Sequence, residues 1–242
     1  MEDLFKKNDA LEEDVKRNIL SLKKSEDLFD DLYDDEPGCK EIAQAAEARI
    51  KQDIPTGIIS RGFHYTTGIL FPFESENYQR TRFSDGFFGC WYGSLDLDTT
   101  IYETAFHNLK DVLGTAGVTE IIYRERAIYN IRCQGILLDF RGQEKKYPQL
   151  IAEDYAFTQQ IGRRLATEGH PGFLTPSARK TGGVNVVALS EKILSNPRVS
   201  QYLSYHINPV TKSVRVEKEK AKIYLEVNFS NLTNDKRSLI NV

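Results

Sequence analysis

The chain has 242 residues, 40% of them hydrophobic, and a formal net charge of −3. That length suits one globular domain with an accessory segment, and the charge argues against a protein held to nucleic acid by bulk electrostatics, which takes a strongly basic face. Cys39, Cys90 and Cys133 show no CxxC spacing, which argues against a disulfide framework or a zinc site and for reduced thiols.

The N-terminus, MEDLFKKNDALEEDVKRN, is charged and lacks an apolar h-region, so no secretory signal is expected. No apolar run approaches the roughly 20 residues of a membrane span. A soluble, cytoplasmic protein is the expectation, with no membrane partner. Charge is unevenly spread: residues 1–53 carry a net −7 and the remainder a net +4. An acidic front and a mildly basic body suggest two regions with different jobs.

Leu4, Leu11, Val15, Ile19 and Leu22 recur at spacings of three, four or seven, which predicts a helical front with one apolar stripe. The run DLFDDLYDDEPG should end or kink it, and CKEIAQAAEARIKQ predicts a second, shorter helix. Residues 1–55 therefore read as an acidic helical extension closed by the linker DIPTG. It is either a solvated hairpin packed on the main domain or a docking surface for a partner or a second copy.

From about residue 58 the pattern changes. GIISRGFHY and DGFFGCWYGSLD read as short strands, the second broken by Gly89 and Gly93. DTTIYETAFHNLKDVL reads as a helix capped by Asp98 or Thr99, with Ile101, Ala105, Leu109 and Val112 on one face. TEIIYRERAIYNIR and QGILLDFRG read as two strands, and YPQLIAEDYAFTQQIGRRLATEG as a helix stopped by Gly169. GFLTPSARKTGGVNVVAL is strand, loop, strand. QYLSYHI, KSVRVEKE and AKIYLEVNF are strands. This is a mixed α+β domain over residues 56–230, followed by a polar tail, 231–242.

Four polar residues stand out of place in β-type or loop contexts. Arg61 interrupts an apolar run, and Arg82 opens an aromatic stretch. Glu103 sits in the first turns of the capped helix, and Ser177 lies in the loop LTPSARKTGG. Singly each has an ordinary explanation: solvated arginines, a helix macrodipole that favours the glutamate, a serine that makes a turn. Together, Arg61, RFSDG…WYGSLDLDTTIYETAFH and PSARKTGGVNVVAL resemble the RES domain, the toxin half of a bacterial toxin–antitoxin pair named for its arginine, glutamate and serine. The resemblance covers roughly residues 58–225. Arg61 matches the first arginine and Arg82 the arginine of the second block. Tyr92 matches the tyrosine, Glu103 the glutamate and Ser177 the serine. Ser60 stands where members often have Tyr.

The resemblance implies a fold similar to ADP-ribosyltransferase domains and an activity that arrests growth by consuming NAD⁺. The bond between nicotinamide and ribose is split, with water, phosphate or a protein as acceptor of ADP-ribose. NAD⁺ is then a substrate and no further cofactor or metal is implied. The implied partner is an Xre-type helix-turn-helix antitoxin, and a homo-oligomer is left open. Glu103, Arg61 and Ser177 would be catalytic; Arg61, Arg82, Tyr92 and Ser177 would bind substrate.

The residue chemistry fits independently. Arginine forks suit the dianionic pyrophosphate. Tyr92 can stack on the cationic nicotinamide ring, with Phe87, Phe88 or Trp91 as competitors. Cleavage develops positive charge on the ribose, which Glu103 can stabilise. Ser177 can orient Glu103 or a ribose hydroxyl. His64 lies near Arg61, and His107, one turn after Glu103, can brace it. Arg179 and Lys180 are further phosphate candidates or solvated surface residues. No P-loop or GxGxxG is present, so a Rossmann mode of NAD⁺ binding is not expected. Two rival functions remain: an RNA-cleaving toxin, and a non-enzymatic module that binds a basic partner through its acidic front.

Overall fold

The computed structural model describes residues 2–21, 66–219 and 222–232. Arg61, His64, the strand expected at GIISRGFHY and the second helix expected of the acidic front lie outside the described residues.

The first segment is a strand, not a helix. β1 runs Asn8–Leu20 and pairs antiparallel with β3 (Ile122–Asp139) along its whole length, from Asn8↔Leu138 to Leu20↔Arg126. The reason lies in the spacing. Leu11, Val15 and Ile19 recur every four residues, and four is a multiple of the strand period as well as close to one helical turn. All three face the same core in the strand. Pairing with β3 settled what the periodicity left ambiguous. The acidic front thus begins inside the sheet rather than as a helical layer beside it. TEIIYRERAIYNIR and QGILLDFRG are likewise one uninterrupted strand, β3.

The remaining strands are β2 (Trp91–Ser94), β4 (Gly172–Pro176), β5 (Val184–Ala188), β6 (Leu194–Asn208), β7 (Ser213–Glu219) and β8 (Lys222–Asn228). They form an eight-stranded sheet in the order β1-β2-β5-β4-β3-β6-β7-β8. Because β1 also pairs with β3, the strands β1, β2, β5, β4 and β3 close into a ring. Val15, Trp91, Ile131, Leu174, Val186 and Ala188 fill it. β6, β7 and β8 leave the ring as an open wing. Among the described residues only the β3–β4 pairing is parallel.

Two helices cover the outer face. α1 (Leu97–Gly114) lays Ile101, Ala105, Phe106, Leu109 and Val112 against Ile128 and the wing residues Leu203, Tyr205, Val214 and Val216. Fully burying such a side chain contributes roughly 1.5–3 kcal/mol, so this face fixes the helix regardless of its polar residues. α2 (Ala156–Thr167) packs Ile161 and Leu165 on Phe83, Phe140, Phe173 and Val187. A β-carbon at Gly162 would lie 1.7 Å from the Phe83 carbonyl oxygen, so only glycine lets α2 approach the turn that carries Arg82. α2 stops at Gly169, whose φ of +75 is left-handed, as read from the sequence. A short turn of helix, α3 (Phe229–Leu232), follows β8.

Candidate active site

On the outer face of β2, β5 and β4 the polar residues Ser94, Asn185 and Thr175 form one cross-strand row. α1 starts two residues after β2. Its cap is Asp96, not Asp98 or Thr99: the extended Asp96 accepts the Thr99 backbone N–H at 2.8 Å and the Thr99 hydroxyl at 2.6 Å. Asp98 instead accepts the Tyr224 hydroxyl at 2.7 Å. Burial pushes the Asp96 carboxyl up, but its donors from Thr99 and Lys180 outweigh that and hold it below the usual carboxylate range. This cap sets where the second turn of α1 presents Glu103.

Ser177 comes to Glu103 from the loop that follows β4. Its hydroxyl donates to Glu103 Oε1 at 2.6 Å. The same hydroxyl accepts the backbone N–H groups of Arg179 and Lys180, at 3.1 and 3.0 Å. The Ser177 N–H donates to the Gly183 carbonyl at 2.8 Å, which closes the loop between β4 and β5. A β-carbon at Gly183 would lie 2.5 Å from Thr99 Oγ1, so the loop can rest on the start of α1 only with glycine there. Ser177 is 2% exposed. Its hydroxyl proton is directed at Glu103.

Two residues not assigned from the sequence complete the carboxylate's setting. Asn185 Nδ2 donates to Glu103 Oε1 at 2.8 Å, and the Ser94 hydroxyl donates to Asn185 Oδ1 at 2.8 Å. Ser94 and Asn185 are cross-strand partners, as are Asn185 and Thr175. The GGVN run already contained Asn185. Its use depends on β2–β5 register, which no local pattern in the sequence encodes. The Thr175 hydroxyl is buried in the same row and has no hydrogen-bond partner among the described residues.

Arg82 is half-buried and partly engaged. Its Nη1 donates to the carbonyls of Ala152 at 2.6 Å and Leu150 at 3.4 Å, and its guanidinium lies 4.6 Å from the centre of the Tyr155 ring. Burial depresses the Arg82 pKa, while the Tyr155 side chain and the Glu103 and Glu153 carboxylates oppose that shift. Arg82 therefore shares a field with Glu103. Its Nε and Nη2 have no acceptor among the described residues.

Tyr92 supports this turn from below. Its hydroxyl meets Thr81 Oγ1 at 2.8 Å and accepts the Phe83 N–H at 3.0 Å, so both residues flanking Arg82 rest on it. Burial raises the Tyr92 pKa well above the ordinary phenol value. Trp91 is no competitor for a ligand ring. It is 0% exposed, points into the sealed ring of strands, and donates its Nε1–H to the Gly68 carbonyl at 2.8 Å. Phe87 is exposed beside Arg163.

Arg179 is neither a solvated surface residue nor a free phosphate ligand. It is 2% exposed, pairs with Glu153, donates to the Leu232 carbonyl at 3.3 Å, and lies 3.3 Å from the centre of the Phe106 ring. It ties the Ser177 loop to α1 and to α3. Lys180 pairs with Asp96 at 3.0 Å. His107 lies exposed one turn beyond Glu103, in the field of Glu103, Arg82 and Arg179. Among the described residues no group of three or more His, Cys, Asp or Glu side chains could hold a metal ion. No described helix is long and apolar enough to cross a membrane.

The family model described as "RES domain" matches residues 54–208. The chain belongs to the RES family. The RES match includes Arg61, Arg82, Tyr92, Glu103 and Ser177, and it excludes β1. The fold is also similar to a chain in the crystal structure of the M. tuberculosis MbcT–MbcA toxin–antitoxin complex, at 13% identity and a TM-score of 0.43, over 84% of this chain and 88% of that one. A comparison with curated proteins gives no match.

Proposed function

We propose that this RES protein is the toxin of a toxin–antitoxin pair and that it splits the bond between nicotinamide and ribose in NAD⁺. The observation that carries the reading is the carboxylate of Glu103. It is held on one oxygen by Ser177 and Asn185, its other oxygen has no partner among the described residues, and Arg82 lies within its field.

In this reading the C1′–N1 bond breaks and its electron pair stays on the nicotinamide nitrogen, which becomes neutral. Positive charge develops on the ribose, and Glu103 Oε2 stabilises that charge more in the transition state than in the ground state. The carboxylate does not have to turn towards the charge as it forms, because two donors already fix it. Nε and Nη2 of Arg82 are the donors for a phosphate of the dinucleotide, and Arg61 supplies a second fork. Tyr92 holds the Arg82 turn in place and lends its ring to the nicotinamide end. Water, phosphate or a protein side chain then takes the ADP-ribose. The partner is an Xre-type helix-turn-helix antitoxin that covers the site, and the active chain is cytoplasmic.

The test is incubation of the purified chain with NAD⁺ and, separately, with RNA. Free nicotinamide with intact RNA is the expected result. Intact NAD⁺ with cut RNA selects the RNA-cleaving alternative. Neither reaction, together with tight binding of a basic partner, selects a binding module.

A further inference from the structure

We propose that Asn185 is a positioning residue, locked by Ser94, that decides which oxygen of Glu103 faces the ligand. The proposal rests on the reading of Glu103 as the charge stabiliser and goes beyond it by naming Oε2 as the working atom and Asn185 as the group that makes it so.

Glu103 Oε1 receives two hydrogen bonds from two different elements, the Ser177 hydroxyl after β4 at 2.6 Å and the Asn185 amide on β5 at 2.8 Å. Two donors on one carboxylate oxygen occupy its lone pairs, so further acceptance falls to Oε2. Neither donor is free to do otherwise. Ser177 has one hydroxyl proton, and its oxygen already accepts from two backbone N–H groups. Asn185 could in principle turn its amide over, but the Ser94 hydroxyl donates to its Oδ1. A turned amide would set Oδ1 against Glu103 Oε1, two acceptors with no proton between them, and would force the Ser94 hydroxyl to reverse from donor to acceptor. Ser94 is itself fixed by strand register, paired directly with Asn185 across β2 and β5. The chain of control runs from backbone pairing to hydroxyl, from hydroxyl to amide, and from amide to carboxylate.

The same geometry explains why an amide rather than an acid suits position 185. A carboxylate there would lie within hydrogen-bond distance of Glu103, and two acids at that separation do not both ionise readily.

The experiment uses the full chain and four variants, each first checked for an unchanged melting transition. Asn185→Ala is expected to lower kcat for nicotinamide release by about 10–100-fold with KM within about threefold, because the residue acts through Glu103 and not on the ligand. Ser94→Ala keeps the amide but removes its lock, and the expected loss of kcat is smaller, about 3–10-fold. Asn185→Asp is expected to move the acid limb of the pH–kcat profile upward by about one unit or more, whereas Asn185→Gln is expected to restore little, since its longer arm does not reach the same oxygen. A rise in KM at unchanged kcat for Asn185→Ala would overturn the proposal, as would an acid limb that stays in place for Asn185→Asp. If the parent chain releases no nicotinamide, the functional reading fails but the positioning claim is still decided. Crystal structures of the parent and of Asn185→Ala should show the Glu103 carboxylate in one orientation in the first and in a turned or mixed one in the second, and an unchanged Glu103 in Asn185→Ala contradicts the claim.

Discussion

β2 sends Trp91 and Gly93 into the ring of strands and Tyr92 and Ser94 outward, and the two faces are built on opposite rules. Inside, packing decides. Trp91 is enclosed among Val15, Ile131, Leu174 and Val186, and its one polar atom is matched by the Gly68 carbonyl. Outside, hydrogen bonds decide. Ser94, Asn185 and Thr175 form a cross-strand row that a core would not choose, because buried polar atoms stabilise little and cost much when unmatched. The inner face tells what the fold needs. The surplus polarity of the outer face tells where chemistry belongs.

The sharpest way to break this contrast is to cut into the inner face. Trp91→Ala should lower stability by about 3–5 kcal/mol in urea unfolding, since an aromatic cavity opens in a sealed core. Removing Arg179 comes next. Arg179→Met should cost about 1–3 kcal/mol, because it leaves the Leu232 carbonyl unmatched, while the half-exposed Glu153 carboxylate falls back on water. That change loosens the Ser177 loop as well, so kcat should fall with stability. The same experiment on Ser94 should leave stability within about 1 kcal/mol.

Acid stability gives a third comparison, away from the site. Burial pushes the Asp139 carboxyl up, but donors from Arg141 and Lys7 outweigh it and hold the group at about 2, below its ordinary value of 3.8. The folded value is the lower one, so the contribution is present above about pH 4 and is lost as pH falls towards 2. Asp139→Asn should flatten the acid limb of the stability profile in that window, as read by melting temperature. Tyr92→Phe should cost a modest amount, about 1 kcal/mol, from loss of the bonds to Thr81 and Phe83. Its sharper consequence should be a raised KM for NAD⁺, since the Arg82 turn rests on that hydroxyl.

Much of this was legible in the sequence where signals were local. α1, α2 with its stop at Gly169, and the strands from Gly172 onward follow from periodicity, glycine placement and β-branched runs. β1 was not, because residues 11, 15 and 19 satisfy both periods and only the partner strand β3 discriminates. The cap falls on Asp96 because the helix begins at Leu97, two residues earlier than a cap at Asp98 would start it. Within the site, Glu103 and Ser177 were visible as residues out of context, and they do meet. Asn185 and Ser94 were not visible as a pair, since their contact is set by register across 91 positions of sequence. Arg179 looked exposed in a Lys- and Gly-rich loop, yet Phe106 and Glu153, both distant in the chain, enclose it.

The most direct measurement is NAD⁺ binding and nicotinamide release by Glu103→Gln beside the parent chain. Glutamine keeps the size of the side chain and an acceptor oxygen but removes the charge. Affinity for NAD⁺ by calorimetry should stay within about threefold, while release of nicotinamide should fall by about 10²–10³-fold. A Glu103→Gln protein that releases nicotinamide at the parent's rate would contradict the account.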